Sequence, residues 1–538
     1  MIQSNTEAIA RRDRPPWRGG SRKREFPQST TIDYGITMSF QRASGILLHP
    51  TSLPSPFGIG DLGPEAYRFI DFLVDTRQQL WQILPLGPTG YGNSPYLCYS
   101  SMAGNHLLIS LERLRDDGLL SQEDLDGAPD FSADTVDFDR VKEFKLPLLK
   151  QSCENFKDRA TPEQQYEFQN FCDRVSVWLD DYALYMALKD ANEDKSWYDW
   201  PDSISKREPE AMEQWKRRLS KEIYYHKYLQ FEFARQWFDL KRYANDRRIQ
   251  IFGDVAFYVA HDSADVWAHP DIFCLDRETG QPELMAGVPP DYFSATGQLW
   301  GNPVFNWEVL KERNFDWWVQ RLSTVLDYMD LVRIDHFRGF QAYWAVPGGE
   351  ETAMAGEWIE APGVELFQVV ADKLGKLPIV AEDLGIITPE VEALRDKFEF
   401  PGMKILHFAF DGNRDNFYLP FNYNSPNWVV YTGTHDNNTT VGWFNEIDDD
   451  TKWRIGTYIG NFDANEIHWE MIRLALGTVA NQAIFPLQDA LGLGGEARMN
   501  LPSAAQGNWG WRYHPEQLTG EIRDRLRNLT ETYGRHPR

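Results

Sequence analysis

Cysteine is scarce in this chain. The four residues, Cys98, Cys153, Cys172 and Cys274, stand far apart, with no Cys-x-x-Cys pair and no cluster of histidines beside them. No metal-ligand spacing results, and the thiols are expected to be reduced, as in a cytosol. Long apolar runs are missing too. None approaches the roughly 18 consecutive residues of a membrane helix, and the N-terminus lacks the apolar stretch of a secretory signal, so a cytoplasmic protein off the membrane is expected. Positive charge is in deficit: 55 Lys and Arg face 80 Asp and Glu, a net charge of −25. Such a surface repels polyanions, which argues against nucleic acid or an anionic bilayer as partner and favours a neutral or cationic ligand. Finally, no Gly-x-Gly-x-x-Gly fingerprint or Walker loop supports nucleotide binding.

What the chain does have is material for a large core: 538 residues, 42% of them hydrophobic and 25% charged. Aromatics make up 14%, including 20 Trp and 23 Tyr. Flat rings with polar handles suit both core packing and the stacking of sugar faces, and composition alone does not choose between them.

Residues 1–37 differ from the rest. Arg11, Arg12, Arg14, Arg18, Arg22, Lys23 and Arg24 outnumber Glu7, Asp13, Glu25 and Asp33, a net +3, with Pro, Gly and Ser between them. Without apolar periodicity this basic extension is expected to be disordered. The folded pattern begins just after Met38.

From there short apolar runs alternate with amphipathic helices, the signature of βα repeats around a parallel sheet. Strands are predicted at 46–48, 81–85, 249–255, 331–335, 379–382, 403–408, 429–432 and 483–487. A helix opened by Pro64 carries Phe69, Ile70 and Leu73 on one face, and another is predicted with Thr388 as N-cap, Pro389 at N1 and Glu390 in its first turn. Eight strands fit an α/β fold of the closed (β/α)8 barrel type, which needs about 250 residues. The surplus is assigned to large inserted subdomains, at about 87–245 and 256–328, walling the C-terminal face of a catalytic barrel that runs over 38–538.

Three acidic motifs stand at predicted strand ends: Val332-Arg333-Ile334-Asp335-His336, Val380-Ala381-Glu382-Asp383 and Tyr431-Thr432-Gly433-Thr434-His435-Asp436. In a barrel that is where active sites lie. Any one such carboxylate also serves as a helix cap or the partner of a base; three in apolar runs weaken that reading. Arg333 and Asp335, two apart on a strand, share a face, so the guanidinium is placed to hold Asp335 ionised. Retaining glycosyl transfer needs an ionised carboxylate and a second, protonated one about 5–5.5 Å away.

Those motifs are accompanied, in order, by Gly45-Ile46-Leu47-Leu48-His49-Pro50-Thr51-Ser52-Leu53, Gly92-Asn93-Ser94-Pro95-Tyr96, Gly253-Asp254-Val255, the stretch 287–294, Gly297-Gln298-Leu299-Trp300-Gly301-Asn302-Pro303 and Gly507-Asn508-Trp509-Gly510-Trp511-Arg512. Over residues 44–512 the chain resembles the amylomaltases of glycoside hydrolase family 77, relatives of the α-amylases. The resemblance implies a 4-α-glucanotransferase acting on α-1,4-glucans and glucose, with no metal or organic cofactor. It implies Asp335 as nucleophile, Glu382 as general acid/base and Asp436 as the third carboxylate gripping the distorted sugar. Arg333 and His435 would serve the same subsite. Tyr96 would stack beneath the reacting glucose, Asp254 would hydrogen-bond in the pocket, and Trp300 with the loop from Gly287, including Tyr292 and Phe293, would cover the cleft. Ser94, Asp411 and Asn508 complete the implied sugar-binding set, while Trp509 and Trp511 are read as core. Leu97, His106, Ala256 and Ser503 depart from the family's usual residues, which bears on subsite detail. Two alternatives stay open here: an α-glucan hydrolase using the same carboxylates, and a non-catalytic glucan binder.

Overall fold

All eight predicted strand sites carry strands, with bounds that differ by a few residues: the first starts earlier, at Ala43, and several others end earlier than predicted. The computed structural model describes residues 40–290, 294–502, 504 and 506–537; the basic extension, and Tyr292 and Phe293 of the expected cover, lie outside them. In chain order the strands are β1 (Ala43–Leu47), β2 (Leu80–Gln82), β3 (Gln250–Val255), β4 (Leu284–Val288), β5 (Gln298–Pro303), β6 (Leu331–Ile334), β7 (Ala342–Pro347), β8 (Glu357–Glu360), β9 (Ile379–Ala381), β10 (Gly402–Ile405), β11 (Trp428–Tyr431) and β12 (Gln482–Pro486). Eight of them pair side by side in the order β10-β11-β12-β1-β2-β3-β6-β9, every pair parallel. The segment 403–408 ends as strand at Ile405, because Leu406–Phe408 wind into a 3-10 turn.

Closure between β9 and β10 rests on few groups. Ala381 N–H donates to the Pro401 carbonyl at 2.8 Å. Two residues on, the Asp383 carboxylate accepts from Met403 N–H at 2.7 Å and from the Arg395 guanidinium at 2.5 Å. A side chain thus stands in for a rung of the backbone ladder. Gly402 is required there, since a Cβ would sit 2.3 Å from Asp383 Oδ2. Asp383→Ala should leave the 8%-exposed Arg395 short of its buried partner and Met403 N–H unsatisfied. A loss of about 3 kcal/mol is expected, read as a lower midpoint of denaturant unfolding, with Asp383→Asn recovering part of it.

The core follows the periodicity. Ile46, Trp81, Ile251, Val332, Val380, Ile405, Val429 and Ile484 are buried in the sheet, and Phe69, Ile70 and Leu73 face it from the helix Pro64–Asp75. Each such side chain contributes about 1.5–3 kcal/mol on burial. The helix Pro389–Lys397 starts at Thr388 as predicted, but the Thr388 side chain makes no cap hydrogen bond.

The long β2–β3 connection is helical, and its helix Ser220–Asn245 packs against β3. Phe156, Phe168, Phe171, Tyr228 and Phe231 interlock at its centre. Strands β4, β5, β7 and β8 form a separate antiparallel sheet in the order β5-β4-β7-β8. None of these four was predicted. They are short and interrupted by Gly and Pro, and they gather from two barrel connections, so no single window of sequence carries their pattern. Among the described residues no helix is long and apolar enough to cross a membrane, and all four cysteines are free.

Candidate active site

Asp335 and Glu382 each follow directly on the last residue of a barrel strand, β6 and β9, and Asp436 lies five residues beyond β11. Parallel strands end at one rim, so this placement brings the three carboxylates to the C-terminal mouth. Asp335 N–H donates to Val255 O at 2.9 Å and Glu382 N–H to Ile334 O at 3.1 Å, extending the ladder just far enough to hold both backbones.

Arg333 organises the floor. Register pairs it with Asp254 of β3, and in-register residues of neighbouring strands share a face. Its Nη1 meets both Asp254 oxygens, at 2.9 and 2.7 Å, while Nη2 reaches Asp335 Oδ1 at 2.7 Å. The expected Arg333–Asp335 pair is therefore present, and a second carboxylate shares the guanidinium. Burial, reinforced by Asp335, pushes the Asp254 carboxyl up to about 7, against Arg333 and the Tyr96 hydroxyl. The two carboxylates drive Arg333 well above its usual range. Those directions pull apart, and the close contact of Nη1 with both Asp254 oxygens decides for the ionised pair.

Glu382 has different surroundings. Its Oε2 accepts from His336 N–H at 2.7 Å and its Oε1 from Leu384 N–H at 2.9 Å. Burial, followed by the negative charge of Asp335, raises its carboxyl to about 7, while Arg333 and the two amides oppose the shift. A carboxyl so placed keeps its proton into the neutral range, as a general acid requires. His336, in the left-handed region at φ 53°, is lowered by burial to about 4 and is neutral.

On the opposite side, Asp436 Oδ1 accepts from Asn500 Nδ2 at 2.6 Å and lies 3.3 Å from His435 Nε2. Burial lowers His435. Its ring stacks on Tyr96 with centroids 5.2 Å apart and planes 16° off parallel, and Trp509 closes the group at 5.9 Å from Tyr96. The Tyr96 hydroxyl donates to Asp254 Oδ2 at 2.9 Å. Trp509 is buried, as expected of core, while Trp511 is half-buried.

Trp300, 38% exposed, stands edge-on to His336 at 4.9 Å and to Tyr258 at 6.1 Å. It therefore flanks the residue that follows Asp335. Ser94, Asp411 and Asn508 make their hydrogen bonds within their own loops. Ser94 Oγ accepts from Tyr96 N–H at 3.2 Å and shapes the Tyr96 loop. Asp411 is exposed, and its Oδ1 accepts from Asn413 N–H in a tight turn. Asn508 staples residues 501–508 through Leu501 and Ala504. Residues that reading the sequence did not single out are Asn500, which holds Asp436, and Tyr258 and His336, which seat Trp300. Of these only His336 carried a signal, its place beside Asp335. Among the described residues no three His, Cys, Asp or Glu side chains are arranged to hold a metal ion.

Comparison with known proteins bears on the family and the fold. Residues 48–519 match the family described as 4-alpha-glucanotransferase, glycoside hydrolase family 77. The 4-alpha-glucanotransferase of Synechocystis sp. is 59% identical over 496 residues, covering 92% of this chain and 98% of its own length. That of Thermus thermophilus is 48% identical over 500 residues, covering 92% and 99%. Among solved structures, amylomaltase from Streptococcus agalactiae in complex with acarbose superposes with a TM-score of 0.89 at 41% identity, covering 92% of this chain and all of the other. Matched over nearly all of its barrel and 59% identical to such a relative, the chain belongs to glycoside hydrolase family 77, the 4-α-glucanotransferase family.

Proposed function

We propose that this chain is a 4-α-glucanotransferase that moves α-1,4-glucan segments onto glucose or maltooligosaccharides by double displacement. The observation that carries the reading is the unequal treatment of two neighbouring carboxyls: Asp335 is ion-paired with Arg333, whereas Glu382 is raised to about 7. In the first step an Asp335 oxygen attacks the anomeric carbon, the C1–O4 bond breaks, and Glu382 gives its proton to the departing O4. In the second, Glu382 takes the proton of an incoming 4-hydroxyl as that oxygen attacks C1 and the Asp335 ester is released. Arg333 offsets the Asp335 charge before and after. Asp436, fixed by Asn500 and His435, accepts hydrogen bonds from sugar hydroxyls, and Tyr96 presents a ring beneath the reacting glucose. The four free cysteines accord with a reducing cytoplasm as the place of action.

Whether a sugar or water takes the glucan depends on which hydroxyl is better placed against Glu382, and orientation is worth as much as about 7–11 kcal/mol in favourable cases. Trp300, seated on His336 and Tyr258, is positioned to hold an acceptor glucose and restrict water. Maltotriose as sole substrate should yield glucose and a ladder of longer maltooligosaccharides with almost no rise in reducing ends. Trp300→Ala should lower the transfer-to-hydrolysis ratio by about tenfold, one such contact's worth, and total bond cleavage by less. Reducing ends rising in step with every bond broken, with nothing longer than maltotriose, would make the chain a hydrolase.

A further inference from the structure

Past Asp335 the chain turns through His336 into a short 3-10 turn, Phe337–Phe340, and Arg338 projects from it. Its guanidinium donates to the carbonyl of Ile386, four residues after Glu382, and so spans the loops that carry both central carboxylates. The guanidinium carbon lies 3.7 Å from the ring centroid of Trp358. Among the described residues no carboxylate pairs with Arg338, and its buried Nε has no hydrogen-bond partner. Burial lowers the guanidinium with no neighbouring charge opposing it.

Trp358 belongs to β8, the edge strand of the antiparallel sheet. It pairs across the ladder with Trp344, whose ring meets it edge-on at 5.3 Å. Trp344 is itself tied down by its Nε1 donating to Ala353 O at 2.9 Å. The indole of Trp358 is thus backed by a fixed ring and a stacked cation, yet it remains 40% exposed, beside the 60%-exposed Ile386. Arg338 is itself only 8% exposed, with Nη1 bonded to Ile386 and Nε buried, so an exposed aromatic face flanked by its remaining Nη2 is the chemistry that takes a sugar ring: C–H groups lie on the indole and a hydroxyl accepts from that N–H. Anion binding is disfavoured by the strongly negative chain.

We propose that Trp358 and Arg338 form a distal subsite for an α-1,4-glucan chain, on the Glu382 side of the barrel mouth, engaged by long acceptors or leaving chains beyond the first sugars. This rests on the transferase reading above. The subsite makes acceptor length matter: a long chain gains a contact that glucose cannot reach.

The test uses the full chain with soluble starch as donor and reducing-end-labelled acceptors, glucose and maltohexaose, following label elongation. In Trp358→Leu the ratio of KM for maltohexaose to KM for glucose should rise about threefold to tenfold, the worth of one aromatic contact. Trp358→Tyr, which restores a stacking face, should recover most of that change. A ratio within twofold of wild type overturns the proposal. So does an equal fall in kcat for both acceptors, which is what loss of mere packing produces. If Trp358→Leu is insoluble, the wild type decides: acceptor KM must keep falling on lengthening from maltotriose to maltoheptaose, and a plateau overturns the subsite. Failure of the wild type to elongate either acceptor would instead sink the transferase reading itself.

Discussion

Asp335→Asn is expected to reduce glucan transfer from maltotriose by on the order of 10⁴ or more, as removal of a covalent nucleophile does. The neutral amide cannot form the glycosyl ester, and the reaction reverts to one difficult displacement. Folding should be little affected, because the amide oxygen still accepts from Arg333 Nη2, and Arg333 Nη1 keeps its hold on both Asp254 oxygens. The same substitution removes the charge that helps Glu382 keep its proton. Thermal unfolding near that of wild type together with vanished transfer is therefore the expected pair of results. Retention of more than about a tenth of the wild-type rate, against the 10²–10⁴ that acid–base help alone supplies, would remove Asp335 from the nucleophile's role.

The second large effect concerns Glu382. Its carboxyl is raised to about 7, so the protonated form predominates below that pH and is lost as pH rises through it. Wild-type kcat/KM should accordingly decline on the alkaline side of about 7. Glu382→Gln should lower turnover by about 10²–10⁴ and flatten this limb, since an amide has no proton to lose there. A glycosyl fluoride donor, whose leaving group departs unprotonated, should restore the first displacement in Glu382→Gln but leave transfer to an acceptor slow. An alkaline limb that persists unchanged in the variant would assign the titration to another group, with Asp254 the first to examine.

The positions of the barrel strands and the three carboxylates were legible before any coordinates. Apolar runs of strand length report burial, and an acidic residue directly after a run, as at Asp335 and Glu382, reports its end at the rim; both are local properties. The exact strand ends were less so: β9 stops at Ala381 and β10 at Ile405, because ladder partners on the neighbouring strand, not the run's own hydrophobicity, decide where pairing stops. Arg333 and Asp335 were paired correctly because they are two residues apart on one strand. That Arg333 also binds Asp254, 79 residues away, required the β3–β6 register.

Asp411 and Asn508 show the converse. Each was named for sugar binding, and each makes hydrogen bonds within its own loop, contacts that local turn geometry sets and residue identity does not display. Asn500 carried no signal, although it holds Asp436 as firmly as any group in the site.

Periodicity and strand-end chemistry by themselves determined that this chain forms an eight-stranded α/β barrel with its carboxylates at one mouth, because hydrophobic patterning is written residue by residue. That Asp254 shares the Arg333 guanidinium, how Glu382 comes to keep its proton, where Asp383 bridges the seam and how Trp358 is left bare beside Arg338 were decided only by the tertiary structure. Electrostatic and hydrogen-bond energies depend on distances of a few ångströms and on burial, and in this fold those distances join residues far apart along the chain.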